Sequence, residues 1–205
     1  FVSAAEKLGI RRNDDFNGGE LEGCGIYNLT QKDAKRLSSY RAFVAPIRER
    51  SNLTVLTGCE VDSLIVEGRR VSGVALRVDG ESLRLGCRCE VILCAGALGS
   101  PQILLNSGIG PRAELEAAGV PLVHELPGVG KNLQEHLDGL ITVRSASALT
   151  LGFSWGSLAS VVAAPFKYLL QKKGWLTTNY VEAGGFARTP LATDLPDVQF
   201  HFVPG

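Results

Sequence analysis

The sequence has no excess of either charge, because 21 Lys and Arg residues balance 21 Asp and Glu residues. It shows no basic stripe with interleaved aromatic residues, which argues against a nucleic-acid-binding surface. Its five cysteines include no Cys-x-x-Cys pair, whereas zinc sites and secreted disulfide frameworks rely on paired cysteines. We therefore expect a globular cytoplasmic protein without a metal site, in which the cysteines are small apolar residues in a reducing compartment.

Neither of the two common phosphate-binding loops occurs. There is no G-x-x-x-x-G-K-[ST] loop. The nearest approach to the dinucleotide pattern G-x-G-x-x-G is Gly128 to Gly130, which lacks the third glycine and follows Pro127. This position predicts a loop rather than a strand-to-helix turn. If the protein binds a dinucleotide, its main phosphate loop lies outside this chain.

Histidine is also scarce. The three histidines, His124, His136 and His201, show neither a metal-ligand spacing nor a nucleophile motif. We expect His124 to be structural in an apolar strand and His136 to form hydrogen bonds in a loop. His201 lies between two phenylalanines on a predicted strand, so it faces away from both rings and either lines a pocket or meets water. No catalytic residue is assigned to this chain.

Charge is absent from one long segment. Ala146 to Phe166 is a run of 21 uncharged residues, nominally long enough to span a bilayer. It contains Gly152, Gly156 and Pro165, and we predict a buried or membrane-touching helix rather than a span. No signal peptide pattern is visible, and predicted elements lie directly at both ends of the chain. This arrangement predicts a piece of a longer protein.

What the sequence does contain is a clear β pattern in its centre. Apolar residues alternate over 61–94 and are interrupted by Glu-Gly-Arg-Arg and Asp-Gly turns, which predicts a three-stranded antiparallel meander. Its last strand, 83–94, should begin with one solvated face and end buried on both. The remaining predictions are a loop over 11–28, helices over 33–45, 111–119 and 157–172, and strands over 53–58, 120–126, 138–145, 180–187 and 197–203.

The turn after this meander is rich in small residues. Gly96 and Gly99 bracket it, and Ser100 and Pro101 predict the N-cap and first residue of a helix. A buried strand, a glycine turn and a helix start would direct free backbone N–H groups at an anion, such as a pyrophosphate or the edge of a flavin. An ordinary strand-to-helix turn of an α/β protein accounts for the same pattern equally well.

The segment 96–110, GALGSPQILLNSGIG, resembles the second signature of the glucose–methanol–choline (GMC) flavin oxidoreductases. The segments NLTVLTGCEV, LPGVGKNLQEHL and EAGGFARTP are similar to the choline dehydrogenase and medium-chain alcohol dehydrogenase branches of this family. The fixed positions of the signature are met by Gly96, Ala97, Ser100, Pro101, Ile103, Leu104, Ser107, Gly108, Ile109 and Gly110.

The resemblance implies an α/β (α+β) fold with two parts. One is part of a Rossmann-like FAD-binding domain with a three-stranded β-meander, and the other is part of a substrate domain on an antiparallel sheet. The implied boundaries are a loop-rich junction segment at 1–28, the FAD-binding part at 29–125 and the substrate-binding part at 126–205. FAD is the implied cofactor. By the same resemblance the backbone of Val61 holds the adenine, and Ala95 and Gly96 run beside the dinucleotide.

The implied reaction is oxidation of a primary alcohol, choline-like or medium-chain, to the aldehyde by hydride transfer to flavin. The phosphate loop and catalytic histidine of the family have no counterpart in this chain, so we expect it to be inactive by itself. A quinone-type acceptor and peripheral contact with the inner membrane are the implied partners besides the alcohol. Asn179, Glu182 and His201 are the candidate pocket residues, and for Asn179 and Glu182 an exposed strand entry is an equal alternative.

Two other interpretations stay open. The chain could be a non-catalytic, truncated remnant of such an enzyme that does not bind FAD alone. A different dinucleotide enzyme that uses NAD is a third interpretation, which the 15-residue signature disfavours.

Overall fold

A computed structural model describes residues 1–144 and 158–204, which form two compact units. The first unit combines Phe1–Arg50 with Ile141–Gly205, and the second is Ser51–Leu140. These limits differ from the predicted boundaries at 28 and 125, because the first unit joins segments from both ends of the chain.

Four α-helices and ten strands are formed by the described residues. The α-helices are α1 (Val2–Lys7), α2 (Gly96–Asn106), α3 (Arg112–Ala117) and α4 (Leu158–Gln171). The strands are β1 (Gly23–Ile26), β2 (Gln31–Lys32), β3 (Lys35–Arg36), β4 (Cys59–Glu67), β5 (Arg70–Val78), β6 (Glu81–Gly86), β7 (Ile109–Gly110), β8 (His124–Glu125), β9 (Ala183–Ala187) and β10 (Val198–Phe202). A π-helix (Tyr40–Val44) and two 3₁₀-helices (Ala45–Ile47 and Trp175–Thr177) complete them.

The first unit is built on an antiparallel sheet in the order β1-β9-β10. α1 packs on β1 and buries Ala5 and Cys24, which is 1% exposed. The centre of the sheet leaves no room for side chains at Gly184, where a Cβ would lie 2.0 Å from the carbonyl oxygen of Phe200. Glycine lets the Tyr27 hydroxyl lie there and donate a 2.7 Å hydrogen bond to that same oxygen.

The second unit contains the predicted meander, in the order β4-β5-β6 with both pairs antiparallel. The Asp-Gly turn between β5 and β6 has positive φ at Asp79 (51°) and at Gly80 (86°), the conformation that such two-residue hairpin turns favour. Leu76 on the central strand is buried. The meander is therefore confirmed, and its register shift between Val61 and Ser63 marks a β-bulge in β4.

The predicted last strand of the meander, 83–94, is wrong beyond Gly86. Gly86 pairs with Gly73, and the residues that follow have no ladder partner among the described residues. Burial on both faces is not observed either, because Ile92 is 74% exposed. Alternation of apolar residues favours a strand, but a strand forms only where another strand supplies hydrogen bonds.

The predicted helix over 33–45 is also wrong in its first half. Asp33 and Ala34 have positive φ angles of 52° and 59°, so they form the turn of a β2–β3 hairpin. Helical structure begins only after this hairpin, with the π-helix Tyr40–Val44. Residues 33 and 34 therefore form a turn, although the apolar periodicity predicted a helix.

Three other predicted strands are absent or much shorter. Residues 53–58 and 138–144 form no strand, and residue 145 lies outside the described part. Of the strand predicted at 120–126, only β8 is formed, and it pairs in parallel with β7. The predicted loop over 11–28 contains β1, whose sequence has little apolar alternation. By contrast, α3, α4, β9 and β10 confirm the elements predicted at 111–119, 157–172, 180–187 and 197–203.

The described helices include none that is both long and apolar enough to cross a membrane. The sequence predicts a buried or membrane-touching helix for the uncharged run 146–166. Residues 146–157 lie outside the described part, and the remainder forms the first half of α4.

Candidate cofactor-binding site

The glycine turn leads directly into α2, which begins earlier than predicted. The helix starts at Gly96 with Ala95 as its N-cap, so the prediction of Ser100 as N-cap and Pro101 as first residue is wrong. The Ser100 hydroxyl instead accepts a hydrogen bond from the backbone N–H of Ala95 at 3.0 Å. Ser100 thus stabilises the helix start from inside the helix, and Pro101 is accommodated within it.

Gly96 combines an unusual backbone conformation with open space. Its φ is +82°, which side-chain-bearing residues rarely adopt, and an added Cβ would meet no heavy atom within 4 Å. No carboxylate lies in the first turn of α2. The N–H groups of a first helical turn have no partner within the helix, so a negatively charged group could approach the backbone here without repulsion or steric hindrance.

The other end of α2 is attached to β4 by two hydrogen bonds. The backbone N–H of Leu64 donates to the Ser107 hydroxyl at 2.7 Å, and that hydroxyl also donates to the carbonyl oxygen of Ile103. The Asn106 side-chain amide donates to the carbonyl oxygen of Asp62 at 3.2 Å. Ser107 is only 8% exposed. The helix is therefore fixed to the strand beside Asp62, the residue after Val61.

Val61 itself is half-buried on β4, pairs with Leu76 and immediately precedes the bulge. Beside it, Asp62 accepts hydrogen bonds from both Nε and an Nη atom of Arg77, at 3.1 and 2.8 Å. These contacts with Asp62 raise the pKa of Arg77, with a further contribution from Glu60. The ion pairs connect β4 to β5 at the level of Val61.

The proposed cofactor residues thus occupy one unit of the protein. The structure places Val61 next to the strand residue that holds the end of α2, and Ala95 and Gly96 at the start of that helix. The 11 residues of α2 span about 16.5 Å. Val61 thus neighbours a residue that contacts the C-terminal end of α2, whereas Gly96 lies at the start of the same helix.

The three candidate pocket residues lie in the other unit. His201 is exposed on β10, with its ring 6.0 Å from the ring of Tyr27 in an edge-to-face arrangement. Asn179 is exposed and donates to the carbonyl oxygen of Val181 at 2.9 Å, within its own segment. Glu182 is exposed, and its backbone oxygen accepts from the N–H of Tyr27 at 2.9 Å.

Glu182 and His201 lie near the Ala183 end of β9, and among the described contacts no hydrogen bond joins any two of the three candidates. Tyr27 contacts both His201 and the backbone of Glu182, and no sequence pattern pointed to it. The described residues also contain no group of three or more His, Cys, Asp or Glu side chains that could hold a metal ion.

Ser107 has a structural role within the signature that sequence reasoning missed. The sequence identifies it only as one fixed position of the pattern, whereas the structure makes it the hydrogen-bonding link between α2 and β4. A small polar residue directly before a positive-φ glycine is typical of a helix end, and this gives no indication of a distant partner.

Comparison with known proteins identifies the family of this chain. The GMC oxidoreductase family model matches residues 1–138. The alcohol dehydrogenase [acceptor] of Pseudomonas putida is 39% identical over 206 residues, which cover 100% of this chain and 37% of that protein. The oxygen-dependent choline dehydrogenase of Photobacterium profundum is 36% identical over 204 residues, covering 100% of this chain and 36% of its own length. The chain thus spans little more than a third of these relatives.

Solved structures agree with this result. An FAD-dependent oxidoreductase from Chaetomium thermophilum superposes with a TM-score of 0.75 and 25% identity, over 90% of this chain and 33% of that chain. A fungal aryl-alcohol oxidase gives a TM-score of 0.73 and 29% identity, over 90% of this chain and 32% of that chain. The mixed α/β architecture with small antiparallel sheets is therefore shared with these two solved enzymes. Because the family model matches well over half of the residues, this chain belongs to the GMC oxidoreductase family.

Proposed function

We propose that this chain is the central part of an FAD-dependent alcohol oxidoreductase. Its substrate would be a primary alcohol, choline-like or medium-chain, which is oxidised to the aldehyde. Residues 29–125 would contribute to a Rossmann-like FAD-binding domain and 126–205 to the substrate domain, with 1–28 at their junction. Family membership supports the cofactor, and the names of the P. putida and P. profundum relatives suggest the two substrate classes.

The observation that carries the proposal is the geometry of α2. Gly96 leaves open space beside a helix start without carboxylates, and the far end of the helix is fixed beside Val61. This arrangement fits an extended dinucleotide, because a pyrophosphate can lie near helical N–H groups while a base contacts the backbone of a strand about one helix length away. When bound, FAD accepts the hydride of the alcohol.

The chain's own residues would bind the cofactor and orient the alcohol. The backbone of Val61 would hold the adenine, and Ala95 and Gly96 would lie beside the pyrophosphate. Asn179, Glu182 and His201 would form part of the pocket wall for the alcohol. We assign no proton transfer to any residue of this chain. The electron acceptor would be a quinone, and the protein would be cytoplasmic with peripheral contact with the inner membrane.

The test compares two glycines with the same backbone conformation. Gly96 and Gly80 have φ angles of +82° and +86°, and an added Cβ would meet nothing within 4 Å at either position. Replacing either with alanine should therefore lower stability similarly, by about 1–2 kcal/mol. Only Gly96→Ala places a methyl group where FAD would lie, and we expect it to weaken FAD binding by about tenfold or more.

FAD binding is measured on the full chain by quenching of flavin fluorescence and by the visible absorption bands that remain after desalting. A parent chain that stays colourless and does not quench flavin supports the non-catalytic remnant. Equal FAD affinity in the two variants would refute the position assigned to the dinucleotide. Competition by NADH as strong as by FAD would favour the nicotinamide alternative.

A further inference from the structure

Helix α4 exposes an apolar stripe to solvent. Its members lie three or four residues apart, except for one adjacent pair at the C-terminal end, which places them on one broad face of the helix. Their exposed fractions lie between 49% and 81%. The stripe consists of Leu158, Val162, Phe166, Leu169 and Leu170. A continuous apolar face of this kind marks an interaction site, because water is a poor environment for it.

Positive charge collects at the C-terminal end of the same helix. A cavity of about 260 Å³ lies there between the β2–β3 hairpin and the residue after α4. Its charged lining consists of five cations and one carboxylate, Asp33. We call the five cations the basic rim: Lys32, Lys35, Arg36, Arg41 and Lys172. All five are exposed, and none forms an ion pair among the described residues.

The basic rim adjoins the C-terminal end of α4. The side-chain amide of Gln31 on β2 donates to the carbonyl oxygen of Thr177 at 2.8 Å, in the 3₁₀-helix that packs on α4. Lys172 also stacks its ammonium group over the ring of Tyr168 at 4.9 Å, which keeps it at the helix end. The hairpin cations are thus held close to the end of the apolar stripe.

We propose that α4 and the basic rim form a docking surface for an anionic lipid bilayer. The apolar stripe would enter the interface, and the cations would contact the phosphate groups of the lipids. α4 has 14 residues and spans about 21 Å, which is shorter than a bilayer core, so it would lie on the membrane and not cross it.

Charge complementarity decides between this occupant and another protein surface. α4 contains no acidic residue, and the rim carries a large excess of positive charge. A second copy packed α4 against α4 would cover the stripe with another helix that has no acidic residue, whereas lipid phosphates would also neutralise the rim. The proposal goes beyond the proposed FAD enzyme and gives the expected peripheral membrane contact a defined surface. It does not require bound FAD.

The test is sedimentation of the full chain, without FAD, with two kinds of vesicle. One is phosphatidylcholine alone, and the other is phosphatidylcholine mixed with phosphatidylglycerol. We expect binding to the mixed vesicles that weakens as salt is raised, because ions screen the attraction of the rim. The triple variant Lys32→Gln, Lys35→Gln, Arg36→Gln should lose about fivefold in partitioning per cation removed, on the anionic vesicles alone.

The apolar stripe is tested separately. Leu169→Gln together with Leu170→Gln should reduce binding to the mixed vesicles by about tenfold or more at every salt concentration, because the loss is not electrostatic. The matched control is Leu191→Gln with Leu195→Gln, two leucines that are 88% and 69% exposed elsewhere in the same unit. It should bind like the parent.

A charge control lies in the meander. Arg69, Arg84 and Arg88 are exposed, and replacing all three with glutamine removes the same charge as the rim variant. Circular dichroism confirms that each variant keeps its fold, and the single variant Leu170→Gln replaces the double one if the latter unfolds. Three outcomes would overturn the proposal. They are equal losses of binding in the two charge variants, unchanged binding in the stripe variant, and no binding of the parent to mixed vesicles at low salt. A stripe-dependent dimer of the parent that ignores vesicles would overturn it as well.

Discussion

Ser107→Ala tests whether α2 is fixed to β4 as the structure shows. β4 is an edge strand of the meander, so the N–H of Leu64 that points away from β5 needs a partner outside the sheet. The Ser107 hydroxyl supplies that partner at 2.7 Å. Removing the hydroxyl leaves a poorly accessible N–H group without a hydrogen bond, which costs about 1–3 kcal/mol. We expect the free energy of unfolding to fall by about 2 kcal/mol.

The measurement is urea unfolding of parent and variant followed by far-ultraviolet circular dichroism, with hydrogen exchange of the Leu64 amide as a local probe. Asn106→Ala is the control. It removes the longer, solvent-exposed hydrogen bond to Asp62 at the same helix end, and should cost about 1 kcal/mol or less. Exchange at Leu64 should accelerate only in Ser107→Ala. A loss of stability no larger than that of the control, with unchanged protection of Leu64, would refute the reasoning.

Two further outcomes are expected in the first unit. Gly184→Ala should lower the free energy of unfolding by about 3 kcal/mol, because its Cβ would lie 2.0 Å from the carbonyl oxygen of Phe200. Gly86→Ala in the meander should change it little, since the nearest atom is 3.8 Å away, and equal urea midpoints would contradict this. The hydrogen bonds that Thr189 donates lower the pKa of Asp197. The stability they contribute is therefore present above the unfolded pKa and lost as pH falls through the folded one. Asp197→Asn should lower the melting temperature at neutral pH and converge with the parent in acid, and a constant difference would exclude this explanation.

The predictable parts of the fold are those encoded by neighbouring residues. The meander followed from alternation and an Asp-Gly turn, and α4 from an apolar, charge-poor run, because both depend on contacts a few residues apart. The strand expected beyond Gly86 fails for the opposite reason. Its apolar residues favour a strand, but hydrogen bonds must come from another segment, and no local pattern reports whether one is near.

In the candidate site, too, local features could be predicted from the sequence and long-range contacts could not. Gly96 could be identified from its small-residue context and the family signature, since a positive φ is a local property. The link between Ser107 and Leu64 joins residues 43 apart, and that between Gln31 and Thr177 joins residues 146 apart. Such contacts become visible only when the chain is folded, so the fixation of α2 and the position of the basic rim could not be derived from sequence.

The interleaved order of the two units has a consequence during synthesis. All segments of the second unit are available once residue 140 has left the ribosome, whereas the first unit needs residues from both ends of the chain. Tyr27 must wait for Phe200, which is 173 residues later, or about 9–35 s at ordinary translation rates. β1 therefore lacks its sheet partner β9 while the meander folds, and in that interval its unpaired edge is open to non-native strand pairing.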